Sequence, residues 1–208
     1  MPIVVVASPK GGVGKSTLAT QIAGYYASQG HTVLLGDADP QQSSSLWLDL
    51  RPASAPEITH WKVDADEIDK PPKAGKATTY VVLDTPGGLD GKRFKDVMKL
   101  ADKIVVPLQP SVFDIFATRK FLDRLAEHRR IDKMQVGLVG MRVDERTLAA
   151  DRLREYLDGL EVPVLTHLRD TQNYVHLAAG GLSVFDVAPS RVEKDLEQWK
   201  PLSAWLDA

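Results

Sequence analysis

A glycine-rich loop near the start of the chain restricts the possible fold most strongly. An apolar, β-branched run at residues 3–6 predicts a buried strand, and the spacing over 16–28 predicts a helix that stops before Gly30. A loop joining such a strand to a helix directs backbone N–H groups and the helix dipole towards one point. We therefore expect a polyphosphate there, with Lys15 at its terminal phosphates and Ser16 on Mg²⁺. The loop residues are Lys10, Gly11, Gly12, Val13, Gly14, Lys15, Ser16 and Thr17.

This loop departs from the common phosphate-binding pattern at its beginning. The pattern G-x-x-x-x-G-K-[ST] ends here at Gly14, Lys15 and Ser16, so its first glycine would stand at position 9. The chain instead has Pro9, followed by a second lysine, Lys10. Proline restricts the backbone just before Lys10, which should direct that side chain outward. The local pattern alone leaves the purpose of the extra charge open.

Strand and helix patterns alternate along the 208 residues. This alternation predicts an α/β fold with a doubly wound, mostly parallel sheet and helices on both faces. The stretches 51–56 and 64–76 are interpreted as surface excursions, because strands resume after them, and we predict a single domain over 1–208. Further strands are expected at 32–35, 80–83, 103–107, 135–139 and 162–165, and further helices at 92–100, 115–128, 147–157, 172–179 and 191–206.

Composition excludes several classes of protein. The chain contains no cysteine, which excludes disulfides, thiolate metal sites and iron–sulfur clusters. Neither a signal peptide nor an apolar run of about 18 residues is present, so we predict a cytoplasmic protein. The net charge of -2 provides no overall attraction to nucleic acid, and any such binding must use a local basic patch.

Carboxylates follow two of the predicted strands. Asp84 comes directly after the strand at 80–83 and precedes a turn that contains Gly87. At the end of a buried strand beside the first one, Asp84 is placed to hold Mg²⁺, and the glycine lets a backbone N–H approach a γ-phosphate. Asp37 and Asp39 follow the second strand and would face the same crevice. One of them can support the metal, and the other can orient or polarise an attacking water.

Together these three motifs resemble the ParA/MinD family of P-loop ATPases, whose Walker A loop is deviant, and in particular its short, ParF-like partition proteins. The resemblance implies the P-loop NTPase fold, ATP and Mg²⁺ as cofactors, and hydrolysis of ATP to ADP and phosphate. It also implies that Lys10 reaches into a partner subunit and contacts the phosphates there, so that a homodimer forms only with ATP. The residues that carry the resemblance are 10–17, Asp37-Ala38-Asp39-Pro40-Gln41 and Asp84-Thr85-Pro86-Gly87.

The same resemblance implies roles for individual residues. Asp39 would position the attacking water, and the regions that clasp adenine in relatives correspond to Met141, Arg142 and the loop 183–190. No helix-turn-helix segment precedes the first strand, so operator-specific repression is not expected. The implied sets are Lys10, Lys15 and Asp39 for catalysis, Ser16, Asp37 and Asp84 for Mg²⁺, and the loop residues with Asp84, Gly87, Met141 and Arg142 for ATP.

Partners are also implied by the resemblance. Family members of this type bind DNA without sequence preference as ATP dimers, and a cargo adaptor of the ParB type stimulates hydrolysis and releases them. We therefore expect a nucleoid-associated protein that segregates or positions a plasmid, a chromosome or another cargo. Basic clusters at 92–95, 128–133 and 142–154, together with Arg169, are candidate DNA contacts. A single charge run is usually a solvated helix face, so DNA binding is expected from the clusters acting together in a dimer.

Two other functions are compatible with these motifs. A MinD-like protein would bind membranes through its last helix, but the polar side of 191–206 carries Glu193, Asp195 and Glu197, where anionic lipid favours Lys and Arg. We therefore expect this helix to pack on its own sheet. An ATP-dependent ligase on the same fold would need a second substrate site, and the sequence shows no further catalytic cluster.

Overall fold

The computed structural model describes residues 1–63, 68, 70–72 and 78–208. In these ranges the strands are β1 (Ile3–Val6), β2 (Val33–Asp37), β3 (Ile58–Trp61), β4 (Tyr80–Asp84), β5 (Lys103–Leu108), β6 (Gln135–Gly140) and β7 (Val164–His167). They form one parallel sheet in the order β3-β2-β4-β1-β5-β6-β7. Every residue of the central strand β1 is buried, which explains its unbroken apolar sequence.

Helices cover both faces of this sheet. They are α1 (Lys15–Ser28), α2 (Ser43–Leu50), α3 (Gly91–Leu100), α4 (Val112–Ala126), α5 (Leu148–Asp158), α6 (Gln172–Ala178) and α7 (Glu193–Asp207). Apolar side chains of α1, α2, α6 and α7 pack with Val4 and Val6 on one face, and those of α3, α4 and α5 pack with Val5 on the other. The predicted doubly wound α/β fold is confirmed.

Two elements lie in stretches for which the sequence predicted neither a strand nor a helix. Strand β3 pairs with β2 at the edge of the sheet, and its Thr59 and His60 are exposed, so it lacks the apolar run that marked the inner strands. Helix α2 is short and begins with three serines. Because serine favours caps and turns over helix interiors, this stretch was not recognised as a helix. The stretch 51–56 is irregular as predicted, whereas 64–76 lies largely outside the described residues.

Several predicted boundaries were wrong by two or three residues. Helix α4 begins at Val112 rather than 115 because the Ser111 hydroxyl accepts a hydrogen bond from the Asp114 N–H and caps the helix. It ends at Ala126 rather than 128. Strand β7 begins at Val164 rather than 162, since Pro163 has no N–H to contribute to the ladder. Helix α7 follows a separate 3-10 turn at Pro189–Arg191.

Helix α7 is attached to the sheet by its apolar side and by its last carbonyl groups. Trp199 and Leu202 are buried in the core shared with α1. The buried Lys103 ammonium donates to the carbonyl oxygens of Trp205 (2.7 Å) and Leu206 (2.9 Å), and the Tyr26 hydroxyl also donates to the Leu206 carbonyl. The helix therefore packs on its own sheet, as predicted. Every helix in the described ranges falls short of the length and apolar character that crossing a bilayer requires.

We predict that Lys103→Met destabilises the protein by about 1–3 kcal/mol, because the C-terminal carbonyls of α7 lose their charged donor while the apolar stem is kept. Urea unfolding followed by circular dichroism measures the change. Lys194→Met on the exposed side of α7 is the control and should alter the free energy of unfolding very little. Equal stability of the two variants would contradict the anchoring role of Lys103.

Candidate functional site

The glycine loop leaves the end of β1 and turns directly into α1. Gly12 and Gly14 have φ angles of 75° and 100°, which glycine adopts without the steric cost that other residues incur. Gly14 occupies the N-cap position, and no side chain caps the helix there. Among the described residues, no side chain accepts from the first N–H groups of α1, as in an anion-binding helix terminus.

Lys15 lies inside this loop. Its ammonium donates to the carbonyl oxygen of Lys10 (2.9 Å), which closes the loop on itself. Burial lowers the pKa of Lys15, while the carboxylates of Asp84 and Asp39 act in the opposite direction. Lys15 is thus brought close to the two acidic motifs that the sequence analysis grouped with it.

Asp84 is fully buried at the end of β4. Its Oδ2 accepts a hydrogen bond from the Ser44 hydroxyl (2.7 Å), and Oδ1 has no hydrogen-bond partner among the described residues. Burial raises the pKa of Asp84 to about 6, although the nearby hydroxyls of Ser16 and Ser44 act in the opposite direction. A buried carboxylate oxygen without a partner, next to the Ser16 hydroxyl, fits a Mg²⁺ ion or one of its water ligands.

The second acidic motif organises the turn between β2 and α2. Asp37 is the direct neighbour of Asp84 in the sheet. Its Oδ1 accepts from the Asp39 N–H (3.0 Å) and its Oδ2 from the Ser45 N–H (2.9 Å). Asp39 is half-buried, and its Oδ1 accepts from the Gln41 N–H. In this structure Asp37 therefore stabilises the turn that carries Asp39 towards the crevice.

The loop after β4 packs against the glycine loop. A Cβ atom at Gly87 would lie 2.7 Å from the backbone nitrogen of Gly11, so only glycine fits at this contact. The Thr85 hydroxyl donates to the carbonyl oxygen of Val6 at the end of β1 (2.8 Å). The structure thus brings the two glycine-containing motifs into direct contact.

The backbone of Lys10 belongs to the glycine loop, whereas its side chain extends to α4. The Ser8 hydroxyl accepts from the Lys10 N–H and donates to the Lys10 carbonyl oxygen, which fixes the backbone. The Lys10 ammonium lies 2.7 Å from Asp114 Oδ1 on α4 and 5.7 Å from the centre of the Phe113 ring. Its side chain is 38% exposed. The second lysine of the loop is therefore held at the rim of the site.

A cavity of about 430 Å³ opens beside the loop at Gly14 and Thr17. Met141 and Arg142 border it, as does the segment that follows β7, whereas the loop 183–190 does not. Arg142 has a φ of 53°, in the left-handed region that residues other than glycine rarely adopt. The position of the cavity fits a base attached to phosphates in the glycine loop.

Arg169 is part of the wall of this cavity. Its Nε donates to Asp195 Oδ1 (2.7 Å), and Asn173 donates to the other oxygen of the same fully buried carboxylate. The predicted DNA contact Arg169 is thus held by α7.

Two residues of the site had no signal in the sequence analysis. Ser44 binds Asp84 across 40 positions of the chain, and Asp114 binds Lys10 across 104. Three successive serines after an Asp-Pro turn were the only hint of Ser44. Nothing local marked Asp114.

Comparison with known proteins identifies the family of the chain. A family model described as the CobQ/CobB/MinD/ParA nucleotide binding domain matches residues 4–184, so the chain belongs to that family. Among relatives, it is 29% identical over 188 residues to the maintenance of carboxysome distribution protein A of Halothiobacillus neapolitanus, covering 88% of this chain and 87% of that protein. Protein ParA of Rhizobium radiobacter is 32% identical over 129 residues, covering 61% of this chain and 57% of that protein.

Solved structures with low sequence identity to this chain share its fold. The MinD cell division protein of Aquifex aeolicus superposes with a TM-score of 0.76 at 20% identity, covering 99% of this chain and 96% of the other. A putative plasmid partition protein of Borrelia burgdorferi bound to AMPPNP gives 0.74 at 17% identity, covering 97% and 98%.

We predict that Asp84→Asn stabilises the metal-free and nucleotide-free protein at pH 8. Folding raises the pKa of Asp84 from 3.8 to about 6. The carboxyl group therefore ionises more readily in the unfolded chain, and the folded protein loses stability as the pH rises from about 4 to about 6. A neutral amide at this position does not ionise and avoids this loss. The expected gain is about 1–3 kcal/mol at pH 8 and close to zero at pH 4. Urea unfolding in EDTA at both pH values measures it, and a variant less stable than the parent at pH 8 would contradict this account.

Proposed function

We propose that the protein is an ATPase of the ParA type. Two ATP-loaded subunits form a sandwich dimer, the dimer binds DNA without sequence preference, and hydrolysis stimulated by a ParB-type adaptor releases it. In this way the protein segregates or positions a plasmid, a chromosome or another cargo in the cytoplasm, on the nucleoid. The names of its relatives, which include a carboxysome distribution protein and a ParA protein, support a cargo-positioning role.

The position of Lys10 is the observation that carries the proposed dimer. Lys15 lies inside the loop beside Asp84 and Asp39, where a lysine serves its own nucleotide. Lys10 instead extends to Asp114 at the rim, although its backbone belongs to the same loop. A second ammonium group directed away from its own site is suited to a nucleotide in a facing subunit. A charge supplied in this way can accelerate phosphoryl transfer by roughly 10³–10⁵, as arginine fingers do.

An apolar patch next to Lys10 supports a facing subunit. Phe113, which lies over the Lys10 ammonium, is 78% exposed, and Phe116 one turn along α4 is 66% exposed. Large exposed aromatic side chains that lie together are typical of protein interfaces. Since the patch and Lys10 share one surface, a second copy of the chain would cover both.

Four residues of the subunit that binds the nucleotide share the remaining steps of hydrolysis in the proposed site. Lys15 would neutralise the terminal phosphates, and Asp39, on the turn ordered by Asp37, would orient the water. Ser16 and Asp84 would hold Mg²⁺, which supplies charge neutralisation during phosphoryl transfer when bound. The free Oδ1 of Asp84 supports this assignment.

DNA is favoured over a membrane as the surface that the dimer binds. A membrane-binding last helix needs an accessible apolar face, and α7 buries Trp199 and Leu202 against the sheet. Its C-terminal end is also held by Lys103. Releasing it would break these contacts.

We predict that the Lys10→Ala protein binds ATP but remains a monomer and does not hydrolyse the ATP. The reason is that the bound triphosphate of each subunit loses the charge that its neighbour would supply. Sedimentation velocity with ATP and Mg²⁺ measures dimerisation, and a binding titration measures affinity. Lys15→Ala should instead lose ATP binding itself. Lys194→Ala, an exposed lysine of α7 outside this patch, is the control and should dimerise normally. A normal dimer of the Lys10→Ala protein would refute the cross-subunit role.

We also predict that Asp39→Ala traps the ATP dimer, because water is no longer oriented while both lysines remain. The variant should sediment as a stable dimer, stay on DNA and release phosphate at least about tenfold more slowly than the parent. Phosphate release and DNA retention are measured in the same sample. Turnover at the parental rate would assign the water to another residue.

A further inference from the structure

Two basic segments that are far apart in sequence form one surface. We define the α3–α4 basic surface as residues 92–99 of α3 together with residues 124–133, the end of α4 and the turn after it. The two segments contain eight lysines and arginines against three acidic residues, a local charge of +5 in a chain whose net charge is -2. The positive charge of the protein is therefore concentrated here.

Phe94 joins the two segments. Its buried ring lies 6.2 Å from the His128 ring and 4.4 Å from the guanidinium carbon of Arg124, measured to the centre of the Phe94 ring. Burial lowers the pKa of His128, and three cations around it lower it further, namely Arg130, Arg129 and Lys95. Basic groups from both segments thus act on one imidazole, which places them on one continuous surface.

Several of these cations are available to an outside partner. Arg93, Lys95, Arg129 and Lys133 are exposed, and none of the four makes an ion pair within the residues that the structure describes. The acidic residue of α3, Asp96, is buried and already accepts from Lys92 and Lys99. Some exposed cations elsewhere on the surface, such as Arg146 and Lys200, are instead paired with carboxylates of their own chain.

Resting on the proposed function, we infer that the α3–α4 basic surface is where the protein binds the phosphate backbone of duplex DNA. Arginines and lysines spread over two helices match a row of phosphates, and contacts of this kind carry no sequence preference. The surface presents no large exposed apolar side chain among the described residues, so it lacks the apolar face that an anionic membrane would require. Arg169 is less suited to this role, because Asp195 already holds it.

The chain also connects this surface to the nucleotide site. Residues 85–90 lead from Asp84 directly into α3, and Gly87 in this segment packs against the glycine loop. Arg124 donates to the carbonyl oxygen of Leu89 (3.2 Å), so α4 holds the same segment from the other side. A shift of this segment on ATP binding would move α3 relative to α4, which gives DNA binding a route to depend on nucleotide.

The test compares two double charge reversals in the full chain. Lys95→Glu with Arg129→Glu alters the α3–α4 basic surface, and Arg191→Glu with Lys194→Glu makes the same charge change at exposed positions before and within α7. Fluorescence anisotropy with ATP and a random-sequence duplex is measured at several salt concentrations. The first variant should bind at least about tenfold more weakly, and the slope of log affinity against log salt should fall by about two. The control should keep the parental affinity and slope.

The outcomes separate this inference from the proposed function. If the first variant binds DNA as the parent does, or if only the control loses binding, the DNA site does not lie on the α3–α4 basic surface. The ATP-dependent DNA binding of the parent would still stand. Absence of DNA binding by the parent itself contradicts both. Sedimentation with ATP and a thermal melt confirm that the variant still folds and dimerises, and Lys95→Gln with Arg129→Gln replaces it if it does not.

Discussion

The ion pair between Lys10 and Asp114 is the contact on which the proposed mechanism depends. It holds the loop's second ammonium at the rim of the site, while the Lys10 carbonyl oxygen accepts from Lys15 inside it. A partly exposed ion pair contributes only about 0–1 kcal/mol, so it is easily exchanged. The triphosphate of a facing subunit carries more negative charge than one carboxylate. In the proposed dimer, the facing subunit's triphosphate would therefore draw the Lys10 ammonium away from Asp114.

In the interior of the site, burial determines how the charged groups behave, in contrast to the partly exposed ion pair at its rim. Burial makes the ionised form of Asp84 unfavourable. In addition, its Oδ1 has no partner among the described residues, and Asp37 lies beside it in the sheet. Asp37 has both oxygens bound to backbone N–H groups and so fixes the turn that carries Asp39. The buried Asp84 carboxylate, whose Oδ1 is unpaired among the described residues, fits a cation, whereas both oxygens of the Asp37 carboxylate support the turn.

Local sequence was sufficient for the features that follow from one strand, one loop or one helix. The buried strands, the glycine loop and Asp84 at the end of β4 were predicted because each combines an apolar run with an adjacent turn. Ser44, Asp114 and the Asp195 contact of Arg169 were not predictable, since each depends on tertiary packing between distant segments. The edge strand β3 and the serine-led α2 were missed because short, partly exposed elements carry weak patterns.

Mixing two variants tests most directly whether Lys10 acts on the nucleotide of the neighbouring subunit. Lys10→Ala and Asp39→Ala subunits are combined before ATP is added, and phosphate release is compared with that of each variant alone. In a mixed dimer, the nucleotide of the Lys10→Ala subunit keeps its own Asp39 and receives Lys10 from its neighbour. The account predicts that the mixture releases phosphate faster than the sum of the two variants measured separately. If Lys10 acts within its own subunit, the mixture stays as inactive as its components, and the account is contradicted.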